Sequence, residues 1–123
     1  MKSSSDFLKE ANAVVPKISI QDAITKIDND DVVFLDVRDS SDVNKTGTIK
    51  NALKIPRGLI EFAADDQCPF YNDKLKKEKQ IILVCAAGGQ AALTGKTLKD
   101  MGYNSVFNVG GISDWINSGG PTE

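Results

Sequence analysis

The order of apolar and polar segments in this chain predicts an α/β fold: a mainly parallel, five-stranded sheet with helices on both faces. Two observations carry that expectation. Short apolar runs alternate with helix-like stretches, the pattern of strands joined by helical crossovers. Val32–Leu35 and Ile81–Val84 are also apolar at every position, as strands buried on both faces must be. The length of 123 residues suits one domain, large enough to bury a core without a metal or disulfide staple.

Residues 1–17 read as an N-terminal extension, polar and then weakly amphipathic, with a short helix carrying Phe7, Leu8 and Ala11. The domain proper runs over 18–123. Ile18-Ser19-Ile20 resembles a short edge strand, and Ser19 with Asp22 three residues on makes a weak capping box for a helix with Ala23, Ile24 and Ile27 on its apolar side. Asn29-Asp30-Asp31 is a turn before the Val32–Leu35 strand, which Asp36-Val37-Arg38-Asp39 leaves at its C-terminal end. Ala52-Leu53-Lys54-Ile55-Pro56 reads as a further short strand, stopped by Pro56. Leu59 to Ala64 looks helical, and Gln80–Val84 is the strongest strand. The stretch from Gln90 to Met101 places Ala91, Ala92, Leu93, Thr97, Leu98 and Met101 on one side of a long helix ended by Gly102. Ser105–Val109 is the last strand. Gly110-Gly111 turns into a closing helix with Trp115 and Ile116, and Phe107 and Trp115 are expected in the core.

Cys85 is the residue that points to chemistry. It ends the strongest strand and opens the small-residue run Ala86-Ala87-Gly88-Gly89 before a helix. Backbone N–H groups converge at such a turn and favour an anion. A thiol held there favours the thiolate, its nucleophilic form. The chain has no histidine, so amides, a helix dipole or Lys/Arg must activate the thiol, and the Cys–His pairing of cysteine proteases is excluded. In open α/β sheets, sites form beyond the C-terminal ends of strands. Asp36, Arg38 and Cys85 all fall at such ends. Asp36 and Arg38 are expected to form a bracing ion pair with an accessory role, and Arg57, after Pro56, is a further accessory candidate that could bring a cation to the loop.

The net charge of −2 gives no electrostatic case for nucleic acid or an anionic membrane surface. The lysines of Lys74–Lys79 read as a solvated run. No segment approaches the roughly 18 apolar residues of a membrane span, and the first residues lack the apolar core of a secretory signal. The expected location is cytoplasmic, where a structural disulfide between Cys68 and Cys85 is not expected. Cys68 reads as incidental, with a resolving thiol as the alternative. A monomer or weak dimer suits the single domain.

Four segments in order resemble the rhodanese-like domain family, and the resemblance runs from about Ile18 to Glu123. They are Asp36-Val37-Arg38; Thr46-Gly47-Thr48-Ile49-Lys50-Asn51-Ala52 followed by Ile55-Pro56; the loop Cys85-Ala86-Ala87-Gly88-Gly89-Gln90; and Asn108-Val109-Gly110-Gly111 through Trp115 to Gly119-Gly120-Pro121. The resemblance implies a sulfurtransferase that carries a sulfane sulfur as a persulfide on Cys85, cradled by the amides of residues 86–90, without metal or organic cofactor. The implied partners are a small anionic sulfur donor or a protein persulfide, and a thiol acceptor such as a thioredoxin-like or sulfur-carrier protein.

The chain departs from the family pattern in informative places. Gln90 stands where the loop has an arginine, Ala86 removes a position that is often basic, Thr48 replaces a histidine and Asn51 a glycine. Losing a charge-assisted hydrogen bond costs about 1.5–3 kcal/mol, or roughly 10–100-fold in affinity. Weak use of thiosulfate is therefore expected, with a less charged persulfide or a protein persulfide as the better donor. A Cys-x5-Arg phosphatase would need an arginine where Ala91 stands. The alternative function is a non-catalytic rhodanese-like module for binding or redox sensing.

Overall fold

The computed structural model describes residues 1–123. Its elements, in chain order, are α1 (Ser4–Val14), α2 (Ile20–Ile24), β1 (Val32–Asp36), α3 (Ser40–Thr46), β2 (Leu53–Lys54), a 3-10 turn (Arg57–Leu59) running into α4 (Ile60–Ala63), β3 (Gln80–Cys85), α5 (Gly89–Asp100), β4 (Val106–Gly111) and α6 (Ile112–Asn117). The strands form one parallel sheet in the order β2-β1-β3-β4. No helix is long and apolar enough to cross a membrane.

Alternation along β3 divides the core. Ile81, Leu83 and Cys85 face one cluster, which includes Val15, Ile60, Ala91, Leu98 and Tyr103 from α1's end, α4, α5 and the turn after it. Ile82 and Val84 face the other, with Ala23 of α2 and Ile112 and Trp115 of α6. Successive strand side chains point to opposite faces, so a strand between two helical layers must be apolar throughout. The same rule aims Cys85 at α5.

The sheet has four strands, not the expected five. In place of the expected Ile18–Ile20 strand there is only a single parallel bridge, made by the preceding Lys17 with Asn108 at the free edge of β4, and Ile20 already begins α2. Asn108 N–H donates to Pro16 O and Ile18 N–H to Asn108 O, each at 3.0 Å. The pairing stops there because Pro16 has no N–H and Ser19 turns away to cap α2, its Oγ accepting from Asp22 N–H. α3 was not expected: its sequence, SSDVNKT, carries only Val43 as a buried apolar residue, too little for a periodic signal. β4 extends to Gly111, so Gly110 and Gly111 close a strand rather than form a free turn. Phe107 is half-buried at the sheet edge instead of in the core. Trp115 is fully buried; its ring meets Phe34 edge-on and its Nε1–H donates to Pro121 O.

α1 carries the capping box Ser3/Asp6. It docks on α5, with Leu8 beside Gly89 and the following Val15 over Gly95.

Tyr103 anchors the long segment between α4 and β3. Its hydroxyl donates to Ala64 O at 2.9 Å and to Leu75 O at 3.3 Å. Burial, then the nearby Tyr71, Asp66, Glu78 and Asp65, push its ionisation from 10.0 up to about 12. The folded state thus favours the neutral phenol. That stabilisation is complete below the unfolded value near 10 and is lost as pH rises through about 12. Tyr103→Phe should cost about 1–2 kcal/mol at pH 8 in urea unfolding. The gap between the two proteins should narrow between pH 10 and 12, the window of that shift. A constant gap across the window would contradict the assignment.

Candidate active site

The site is built at the C-terminal ends of β1, β3 and β4. Cys85 is the last residue of β3 and is 1% exposed. The chain then turns through residues 86–88 into α5. Gly88 N–H points at Cys85 Sγ at 2.9 Å, and Ala91 N–H at 3.4 Å. The second donor belongs to the first turn of α5, whose leading N–H groups have no partner within the helix. Both donors therefore bring positive partial charge to one sulfur. Ala86, Ala87 and Gln90 are exposed and form the rim, while Gly88 and Gly89 are half-buried.

The loop's shape has local causes. Gly88 sits at φ +100°, a conformation that L side chains rarely adopt. Gly111, paired with Cys85 across the sheet, allows β4 to pass close beneath the loop. A Cβ at Gly111 would lie 2.5 Å from Ala86 O.

Asn108 is the residue that sequence reasoning missed as part of the site. It is 5% exposed, its Nδ2 donates to Gly88 O at 2.9 Å, and its Oδ1 accepts from Gly110 N–H at 2.8 Å. The β3–β4 register shifts after Leu83, so that Leu83 pairs with Asn108 and Val84 with Gly110. This irregularity leaves Val109 unmatched and re-aims the strand, as bulges beside sites do. The sequence signal was an amide at a position where a strand core wants an aliphatic residue.

Asp36 and Arg38 form the expected pair, at 2.8 Å and 0% and 4% exposed. Arg38 Nε donates to both Asp36 oxygens. Its Nη1 donates to Thr46 Oγ1 and its Nη2 also to Gly47 O. Thr48 Oγ1 donates to Asp36 Oδ2 at 2.7 Å. Every guanidinium nitrogen thus has a partner inside the chain, and the pair braces the β1 end against α3 instead of presenting charge to a ligand. Thr48 completes that brace. Asn51 takes φ +64°, which asparagine tolerates better than most residues, so its replacement of glycine fits the turn.

Arg57 reaches across to α5. Its Nη1 donates to Glu61 Oε1 at 3.0 Å and its Nη2 to Thr97 Oγ1 at 3.1 Å. It lines a cavity whose wall includes Gly89. Gln90 is exposed, and only its backbone carbonyl is engaged, by Thr94 Oγ1. Both cysteines are free thiols; Cys68 is half-buried in the loop beyond α4.

Two substitutions test how the loop is held. Gly111→Ala should force Ala86 off its position and slow alkylation of Cys85 by iodoacetamide at neutral pH by at least tenfold. Asn108→Leu should slow it less, by about 3–10-fold, the size of one lost hydrogen bond. Unchanged alkylation in both would contradict the role given to β4.

Comparison with known proteins agrees with this fold. The family model for the rhodanese-like domain matches residues 19–118. A sulfurtransferase from Allochromatium vinosum is 28% identical over 95 residues, covering 76% of this chain and 80% of that protein. A Bacillus subtilis protein, named as a candidate sulfur carrier, is 26% identical over 117 residues; the alignment covers 94% of this chain but 58% of that longer protein. Among solved structures, a Rhodopseudomonas palustris protein of unknown function, described as a possible tyrosine phosphatase, superimposes with a TM-score of 0.93 at 32% identity, covering 100% of this chain and 96% of that one. With the parallel sheet, the loop after β3 and this match over most of its length, the chain belongs to the rhodanese-like domain family.

Proposed function

We propose that this chain is a sulfurtransferase that takes a sulfane sulfur onto Cys85 and passes it to a thiol acceptor. The observation that carries the reading is the pair of N–H groups, from Gly88 and Ala91, aimed at one buried sulfur. Preorganised donors of this kind stabilise a negative sulfur without a side-chain cation. The kinship to a protein named as a sulfurtransferase supports the same reading.

With a persulfide donor, the Cys85 thiolate attacks the outer sulfur of R–S–SH. A new S–S bond forms, the old one breaks with its electron pair, and R–S⁻ leaves; Cys85 then carries S–SH. With thiosulfate the same attack expels sulfite. An acceptor thiolate, on a thioredoxin-like or sulfur-carrier protein, next attacks the outer sulfur and restores the Cys85 thiolate. No net oxidation occurs. Cys85 Sγ is itself nearly inaccessible. A persulfide moves the reactive atom about 2 Å outward, one S–S bond, toward the exposed rim of Ala86, Ala87 and Gln90. Burial of the thiol and access to the transferred sulfur are thus compatible.

A phosphatase reading has less support. Ala91 is fully buried where such a loop needs an arginine, and Gln90 offers at most neutral hydrogen bonds.

Incubation with a persulfide donor should add about 32 Da, one sulfur atom, to the wild type. Cys85→Ser should show no gain, and Cys68→Ser the full gain. No adduct from any donor would leave a non-catalytic binding module as the function. Thiosulfate should be a poor substrate, and Gln90→Arg should raise its kcat/KM by about 10–100-fold, the value of one charge-assisted hydrogen bond. A fast wild type that gains nothing from the arginine would refute the role assigned to Gln90.

A further inference from the structure

The N-terminal segment reaches the Cys85 loop from two directions. Leu8, Ala11 and Val15 recur at i, i+3 and i+7 and so share one face of α1 and its C-terminal end. Ala11 is fully buried, and Val15 belongs to the core cluster that holds Cys85 and Ala91. Leu8 Cδ2 lies 3.6 Å from where a Cβ on Gly89 would stand. Both Val15 methyls lie 2.8 Å from where one on Gly95 would stand, an approach that a side chain at 95 would prevent. Gly89 and Gly95 flank Ala91 along α5. This first grip holds the helix that supplies the Ala91 N–H.

The second grip is on β4. Asn108 N–H donates to Pro16 O, and Asn108 O accepts from Ile18 N–H, each at 3.0 Å. The side chain of the same residue donates to Gly88 O at 2.9 Å and accepts from Gly110 N–H at 2.8 Å. The backbone pinned by residues 16 and 18 is therefore the one whose side chain fixes Gly88, the other donor to Cys85 Sγ. Only Pro16 and Lys17 separate Val15 from Ile18, and the proline ring locks its own φ. The two grips are thus coupled. A cavity of about 310 Å³, bounded by Leu8, Asn12, Lys17, Gly88, Gly89 and Asn108, lies between them. The segment holds the loop at two points instead of filling that space.

We infer that residues 1–18 form a clamp that sets both N–H donors on Cys85, with Leu8 and Val15 as positioning residues for the thiolate. The family model matches from residue 19, so α1 lies outside the stretch it describes. The loop residues Ala86 and Gln90 are neutral, which leaves a negative sulfur dependent on backbone donors. Hydrogen bonds weaken steeply with distance and angle. A small shift of α5 or of Asn108 therefore reaches the sulfur, and the clamp resists both shifts. The inference rests on the sulfur-transfer reading for its kinetic consequence and names the part of the chain that tunes the nucleophile.

The test reads the ultraviolet absorbance of the Cys85 thiolate at neutral pH, as the difference between each full-length protein and its Cys85→Ser counterpart. Access to the buried sulfur does not enter that reading. Leu8→Ala should lower the signal about two- to fivefold, the size of a weakened hydrogen bond, and kcat/KM for a persulfide donor should fall with it. Leu8→Met, which refills the contact, should restore both. Gly95→Ala, which drives Val15 off α5, should act like Leu8→Ala, and adding Val15→Ala should recover part of the loss. Two controls should keep the wild-type signal: Phe7→Ala, on the same helix but half exposed, and Ile24→Ala, which loosens the core on the opposite side of the sheet. A Leu8→Ala signal equal to wild type, or an equal drop in the Ile24→Ala control, would overturn the clamp while sulfur transfer stands. A wild type with no thiolate signal would leave the clamp nothing to hold and overturn it too. A thiolate that responds as expected but takes no sulfur from any donor would sink the sulfur-transfer reading and keep the clamp.

Discussion

The convergence of the Gly88 and Ala91 N–H groups on Cys85 Sγ is the contact around which the rest of this structure is arranged. Neither donor can be held by the loop alone. Gly88 needs a left-handed backbone, which its own sequence permits, and a fixed carbonyl, which Asn108 supplies from the neighbouring strand. Ala91 needs α5 to begin where it does, and that start is fixed by packing Ala91 and Leu98 onto the odd-numbered face of β3. The bulge in β4 lets one strand both pair with β3 and turn an amide toward the loop. Removing the glycine at 111 would bring a Cβ into the loop backbone, so the narrowness of the β4 passage is part of the same device.

The two arginines near the loop are held in different ways. Arg38 is fully engaged, since the Asp36 carboxylate, Thr46 and Gly47 occupy its nitrogens. Arg57 bonds Glu61 and Thr97 on the α5 flank, in a more exposed setting. A buried pair and an exposed pair thus play opposite parts. Breaking the first would strand an uncompensated charge at a cost of about 3–5 kcal/mol, whereas the second can trade its carboxylate for another.

Much of this was legible from residues alone, for identifiable reasons. β3 announced itself because a strand covered on both faces must be apolar throughout, and the small residues after it marked the turn. The Asp36–Arg38 pair was legible from two opposite charges leaving a buried strand. Three things were not. α3 has a single buried apolar side chain, so its periodicity is invisible. The fifth strand reads well locally, but Pro16 and the capping demand of Ser19 reduce it to one bridge. Asn108 depends on a register shift between two strands, which no local pattern encodes. Arg57 was singled out, yet its partner Thr97 lies forty positions away and only the fold brings them together.

Strand alternation on β3 also makes the thiol a sensitive gauge of correct assembly. Ile82 and Val84 are as apolar as Ile81 and Leu83, so a chain refolded with β3 slipped by one residue could retain its helices and a greasy interior. Its sulfur, however, would emerge beside α6 and Trp115, far from the amides that await it. Circular dichroism would scarcely distinguish the two species; the rate at which the cysteine reacts would.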